Sequence, residues 1–162
     1  MATSPEARLQ ELGLVLPAPT RVPPSVHLPF AFVHVVGRRV LISGHGPTDA
    51  DGHLCGPFGK VGLDLSAEQA FDAARATALS ILADVRDVLG SLDRVGQWVR
   101  VFGMVNAHKG FTGLPQVING CSQLLLDVFG EEVGRHARSA VGMAELPWNI
   151  PVEIEAELLL RD

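Results

Sequence analysis

The apolar positions change period several times along the chain, and each change marks an element. Valine, isoleucine and phenylalanine crowd residues 30–36 and again 39–43. Between them Gly37-Arg38 supplies a two-residue turn with glycine at its first central position, which predicts a hairpin of two strands. Further on the period lengthens. Phe71, Ala74, Ala78, Ile81, Leu82, Val85 and Leu89 fall at helical spacing behind the capping-box pattern Ser66-Ala67-Glu68-Gln69. This predicts a helix of about 23 residues, ended by Gly90. Residues 98–105 are apolar on both faces apart from Arg100, the mark of a strand flanked on both sides. Val117, Cys121, Leu124 and Val128 step by four, three and four, a second amphipathic helix that Gly130 closes. Residues 138–143 and 152–160 complete the pattern as two more strands.

Ahead of the hairpin, Ser4-Pro5-Glu6 reads as a helix start with a hydroxyl cap, and Gly13 as its stop. Pro17, Pro19, Pro23, Pro24 and Pro29 then exclude regular helix and predict an extended arm. Residues 1–28 are therefore expected to be an N-terminal helix and Pro-rich arm packed on a domain spanning 29–162. Residues 45–65, punctuated by Asp51-Gly52, Gly56-Pro57, Gly59 and Gly62, read as a loop with room for one short strand. The order β-β-(β)-α-β-α-β-β implies an α+β fold: one mixed sheet with both long helices on one face.

Such a layer leaves the other face of the sheet bare. The 162 residues are 47% hydrophobic and only 19% charged, and the mean hydropathy is +0.24. A chain this apolar is expected to cover that face with further copies of itself. The net charge of −5 gives no footprint for nucleic acid or an anionic membrane. Two cysteines, Cys55 and Cys121, fit a reducing compartment rather than a disulfide framework. The first residues lack the basic and apolar regions of a signal peptide, and no run suggests a membrane span, so a cytoplasmic location is expected.

The candidate chemistry lies in the closing strands. Residues two apart share a face, so Glu153, Glu155 and Glu157 point one way, and Val152, Ile154, Ala156, Leu158 and Leu160 the other, toward the helices. Arg138 shares its face with the small residues Ala140 and Gly142. If Glu145-Leu-Pro-Trp-Asn-Ile-Pro151 turns an antiparallel hairpin, Arg138 lies across from about residue 158. It is then roughly 17 Å from Glu153 within one chain. The two could meet only across a subunit boundary. The plainer alternative is an exposed ion pair and a solvated glutamate face. Other motifs carry less. Cys121 lies on an apolar stripe and reads as a core thiol. His53-Leu54-Cys55 has no second ligand pair at zinc spacing, Asp49-Ala-Asp-Gly52 lacks the closing glutamate of a calcium loop, and Gly56-Pro-Phe-Gly-Lys-Val-Gly62 lacks the spacing of a phosphate loop.

The segment "ARSAVGMAELPWNIPVEIEA", with "LISGH" at 41–45 and "VINGCSQLLLDVFG" at 117–130, resembles the Rid proteins, also called YjgF-like or endoribonuclease L-PSP proteins, in a longer and less characterised branch. The resemblance runs from about Pro29 to the C terminus. It implies a chorismate-mutase-like fold, a homotrimer and pockets built between subunits. It also implies hydrolysis of small 2-imino or enamine acids to 2-keto acids and ammonia, without a cofactor. Position by position, Arg138 is similar to the arginine that clamps the substrate carboxylate, and Glu153 to the carboxylate that activates water. Asn119 is similar to the helix-borne asparagine, and Ser43, Gly44 and His45 to the turn lining the pocket. Two positions depart from the pattern: Phe30 stands where the active deaminases have tyrosine, and Ala140 where they often have cysteine. The alternative is therefore a non-catalytic trimer binding a small carboxylate metabolite. The older ribonuclease reading sits poorly with a net charge of −5.

Overall fold

A computed structural model describes residues 4–162; residues 1–3 of the predicted N-terminal segment lie outside the described residues. Its elements are α1 (Pro5–Glu11), β1 (Val33–Val36), β2 (Arg39–His45), α2 (Ala67–Leu89), β3 (Val95–Asn106), α3 (Leu114–Gly134), β4 (Ala137–Met143) and β5 (Val152–Leu160). Local signals act as the sequence predicts. Ser4 caps α1 with proline in the first turn. Ser66 and Gln69 exchange both bonds of a capping box at the start of α2, and Gly90 ends that helix with a left-handed φ of 82°. Val36 pairs with Arg39 across Gly37-Arg38, with Gly37 at φ 60°. Gly130 breaks α3 at φ 73°, and one further helical stretch follows before Arg135. The loop between β2 and α2 forms isolated bridges, such as Thr48 with Leu54, in place of a further strand.

The sheet order is β1-β2-β5-β3-β4. β5 runs antiparallel to both of its neighbours, and β4 runs parallel to β3 at the edge. The antiparallel hairpin expected of the last two strands is therefore corrected: β4 and β5 flank β3 on opposite sides. The physical reason lies in burial. Val152, Ile154, Leu158 and Leu160 are each buried, with Ala156 partly so, which a strand achieves at the sheet centre. Between the strands, residues 144–151 are long enough to cross β3, with a 3-10 turn at Pro147–Asn149. Arg138 consequently sits level with Val101 and not beside residue 158.

Both long helices pack on one face, so the expected α+β layer holds. Ala74, Ala78, Ile81 and Val85 of α2 meet Ile118, Leu124 and Leu125 of α3 and the inward rows of β2, β3 and β5 in one cluster. Gly120 lets the helices close to backbone contact, since a Cβ there would overlap the Phe71 carbonyl. α1 buries Leu9, and its Glu6 side chain accepts from the Leu92 N–H. No helix among the described residues is long and apolar enough to cross a membrane.

The opposite face is bare in one chain and carries the glutamate row. Each carboxylate there has its own surroundings. Glu157 accepts from Arg39 Nε at 2.7 Å, and that bond, with the nearby Arg100 charge, holds it below its ordinary value. Glu155 is exposed opposite Phe102. Glu153 is half-buried opposite Met104.

Candidate functional site

The position of Glu153 follows from an irregularity in β2. Ile42 pairs with Ala156 and His45 with Ile154, so Ser43 and Gly44 together oppose Glu155 alone. This is a β-bulge, which re-aims side chains and opens local backbone. A Cβ on Gly44 would overlap the Glu153 carboxylate, so glycine is what lets that acid lie against the strand. Burial pushes the Glu153 carboxyl up, the neighbouring Glu155 charge adds to this, and His45 works against it. A half-buried carboxyl raised above its ordinary value is suited to taking and returning a proton.

The remaining residues of this cluster hold the bulge in place. Ser43 Oγ donates to the Ala31 carbonyl at 2.8 Å, and Ser43 N–H to the Phe32 carbonyl at 2.9 Å. Phe30, 52% exposed, stands edge-on to Phe32 with centroids 5.6 Å apart, and Phe32 tilts over the His45 ring at 5.2 Å. His45 itself is turned inward, with its side chain 1% exposed and bonded to Asp84 of α2 at 2.8 Å. Beside the glutamate row, a hollow of about 280 Å³ is lined by Leu41, Ser43, Arg100, Phe102, Glu155 and Glu157.

A second cluster lies at the β4 edge. Val101, whose side chain is buried beneath α3, pairs with Arg138, so Arg138 lies on the helix side of the sheet. Its Nη1 donates to Asn119 Oδ1 at 2.8 Å and Ser122 Oγ at 3.1 Å, and its Nη2 to the Pro115 carbonyl at 3.3 Å. Three of five donors are thereby engaged and the guanidinium plane is fixed, with two donors left over. His136 extends the network: its Nε2 lies 2.9 Å from Ser122 Oγ and its Nδ1 2.7 Å from the Gly134 carbonyl. The carbonyl can only accept, so Nδ1 donates. Burial lowers the His136 pKa, in keeping with a neutral ring that accepts from Ser122. Ala140, two residues beyond Arg138, is half-buried against the core.

The sequence-derived residues thus fall into two groups. Phe30, Ser43, Gly44, His45 and Glu153 gather at the bulge; Arg138, Asn119 and Ala140 gather between β4 and α3. Glu153 and Arg138 are two strands and three residues apart, about 14 Å in the plane of the sheet, and on opposite faces of it. Three participants escaped the sequence reading: Asp84, Ser122 and His136. The signal for Asp84 was an acid set between Ala83 and Val85, inside the apolar run that begins at Ile81. Ser122 lies one turn after Asn119, on the same face. Cys121 is buried in the core, and burial pushes its thiol up to about 12, as its place on the apolar stripe implied.

A mixed five-stranded sheet with its long helices on one face is the chorismate-mutase-like class of α+β domain. Residues 6–155 match the family described as "YjgF/chorismate_mutase-like, putative endoribonuclease", and the chain belongs to that family. It is 40% identical to protein TCP17 of Trypanosoma cruzi over 157 residues, which cover 96% of this chain and 94% of that one. Among solved structures it is similar to Atu1372 of Agrobacterium tumefaciens, with a TM-score of 0.85, 35% identity and coverage of 97% and 92% of the two chains. A Shewanella oneidensis protein matches with a TM-score of 0.85, 30% identity and coverage of 98% and 100%.

Proposed function

We propose that the protein hydrolyses small 2-imino or enamine acids to 2-keto acids and ammonia, in clefts between the subunits of a homotrimer. The observation that carries this reading is the separation of two complementary half-sites. An arginine with two uncommitted donors and a carboxyl raised above its ordinary value stand on opposite faces of one chain. Each becomes part of one site only when a second copy brings its own β4 edge over the bulge.

In that site Arg138 pairs with the substrate carboxylate, its orientation set beforehand by Asn119, Ser122 and Pro115. Glu153 accepts a proton from water as the oxygen bonds to the imine carbon, and the C=N double bond becomes a C–N single bond. The nitrogen, having gained protons, leaves as ammonia while the carbinolamine hydroxyl gives up its proton and the C=O bond forms. The sum is one imino acid plus one water giving one keto acid plus one ammonia. Free imines already hydrolyse in water, so the protein contributes chiefly positioning.

Phe30 and Ala140 favour a second reading, a trimer that binds a small carboxylate without turning it over. A phenylalanine ring at position 30 offers no hydroxyl to a bound molecule. The experiment is ammonia release from an enzymatically generated 2-imino acid, with wild type against Arg138→Ala. Acceleration by wild type alone supports the hydrolase; no acceleration by either, with binding of a 2-keto acid retained by wild type, supports the binding module.

A further inference from the structure

His45 and Asp84 form a buried pair that the proposed reaction does not consume. The His45 Nδ1 lies 2.7 Å from the Ser43 carbonyl and its Nε2 2.8 Å from Asp84 Oδ2. The carbonyl can only accept a hydrogen bond, and so can an ionised carboxylate. With Asp84 ionised, both ring nitrogens face groups that can only accept. Burial by itself would raise the Asp84 carboxyl. The bonds from His45 and from Thr20, with the His45 charge, instead hold it below its ordinary value, which keeps the carboxylate ionised. Its other oxygen accepts the Thr20 N–H at 2.6 Å. An ion pair this buried, 1% and 7% exposed, survives only when its remaining polar atoms are satisfied, and here the arm and the bulge satisfy them.

The groups around the pair come from four elements. Asp84 faces the ring from α2, Glu153 from β5 on the other side of the sheet, the Ser43 carbonyl from β2, and the apolar Phe32 ring from the segment before β1. Glu153 is in turn faced by Glu155 along its own strand, by His45, by the bare backbone of Gly44, and by Met104 across the β3 pairing. His45 is the one basic side chain among them. It also grips the carbonyl of the first bulge residue, so the same ring sets both the shape of the backbone under Glu153 and the charge beneath it.

We infer that His45 is a buried imidazolium, held between Asp84 and the Ser43 carbonyl, and that it acts as a positioning residue for Glu153. The catalytic importance of this rests on the reading of Glu153 as the water-activating group; the protonation state does not. Thr20 belongs to the arm that precedes the sheet, so the arm is wired to the site through Asp84.

The test uses the full-length protein with nitrogen-15 in histidine and carbon-13 in the glutamate carboxyls, titrated by NMR from about pH 5 to 9. His45→Gln assigns the histidine signal and Glu153→Gln the carboxyl signal. Wild type is expected to show both His45 nitrogens protonated through neutral pH. In Asp84→Asn the amide keeps the Thr20 contact but donates to Nε2, which leaves a neutral ring with its proton on Nδ1. The Glu153 titration is then expected to move to higher pH by about one unit, a tenfold change in proton affinity. A neutral His45 in wild type at pH 7 overturns the inference, and so does a Glu153 titration that ignores loss of the ring charge. If Asp84→Asn does not fold, the wild-type ring state still decides the first point, and His45→Gln with its Glu153 midpoint decides the second. Ammonia release is measured on the same samples. A charged ring in a protein that releases no ammonia sinks the hydrolase reading alone, and a neutral ring in an active protein sinks this inference alone.

Discussion

The Glu153 carboxylate occupies the space that a Cβ at Gly44 would fill. One missing methyl group thus decides where the acid lies, because the bulge brings the β2 backbone up against it. The overlapping atoms are the far end of a flexible side chain, so an added methyl has a cheap escape: the carboxylate swings away.

Gly44→Ala is therefore expected to cost little stability, under about 1 kcal/mol, while lowering ammonia release at least about tenfold through misplacement of the acid. Thermal unfolding and the release assay on one preparation check both halves. Equal loss in the two would mean the glycine serves the fold alone.

Arg138 is fixed by three hydrogen bonds to α3. Arg138→Lys keeps a charge but loses the planar fork, and is expected to weaken binding of a 2-keto acid product by about 1.5–3 kcal/mol, or roughly ten- to a hundredfold. Calorimetric titration reads it directly. Full affinity in the lysine variant would remove Arg138 as the carboxylate clamp.

Because the two half-sites lie on opposite faces, each cleft should draw Arg138 and Glu153 from different copies. Arg138→Ala and Glu153→Gln, each inactive, are expected to regain activity when unfolded together and reassembled. With random mixing about a quarter of the clefts would hold both native residues. No recovery, in mixed oligomers verified by mass, would place both groups in one chain's site.

The half-buried Glu153 and the buried Asp84 should respond to pH with opposite signs. Burial raises the Glu153 carboxyl, so the folded chain binds its proton more tightly than the unfolded chain does. Its stabilising contribution is full below the ordinary carboxylate value and is lost as pH rises through the folded value. Glu153→Gln should therefore be more stable than wild type at neutral pH, with the advantage shrinking as pH falls. Asp84 is held below its ordinary value, so its contribution is present above that value and lost as pH falls through the lower, folded one. Asp84→Asn should be less stable than wild type at neutral pH and approach it in acid. Thermal melts from neutral to acid pH would read both trends.

At Gly120 no side chain can yield: a Cβ would overlap the Phe71 carbonyl and come 3.1 Å from the Arg75 nitrogen. Gly120→Ala is expected to push the helices apart and cost about 1–3 kcal/mol, although alanine is the better helix former. A denaturant midpoint at or above that of wild type would show that the helix pair has slack.

Much of the fold was legible because it rests on local rules. The α2 capping box, the Gly90 stop, the Gly37-Arg38 turn and the alternation of Val152–Leu160 each depend on residues within a few positions of one another. The pairing of the closing strands was not legible in that way. Both a hairpin and a crossover satisfy the same alternating pattern, and only competition for the centre of the sheet places β5 between β2 and β3. Of the site, the residue types and their strand faces could be read, and so could the separation of Arg138 from Glu153, though from a pairing that the structure replaces.

The sequence alone determined an α+β layer, its helices and strands, an apolar chain with one charged strand face, and the membership that its Ala-Arg-Ser and Val-Glu-Ile-Glu-Ala segments signalled. Periodicity, capping and turn chemistry act over short range and are written in consecutive residues. Tertiary structure alone decided that Asp84 reaches His45 across 39 positions, that Ser122 and Asn119 orient Arg138, and that the bulge lays Glu153 on Gly44. Those contacts depend on where packed layers bring distant side chains to within 3 or so ångströms, about the reach of a hydrogen bond. No local pattern encodes that distance.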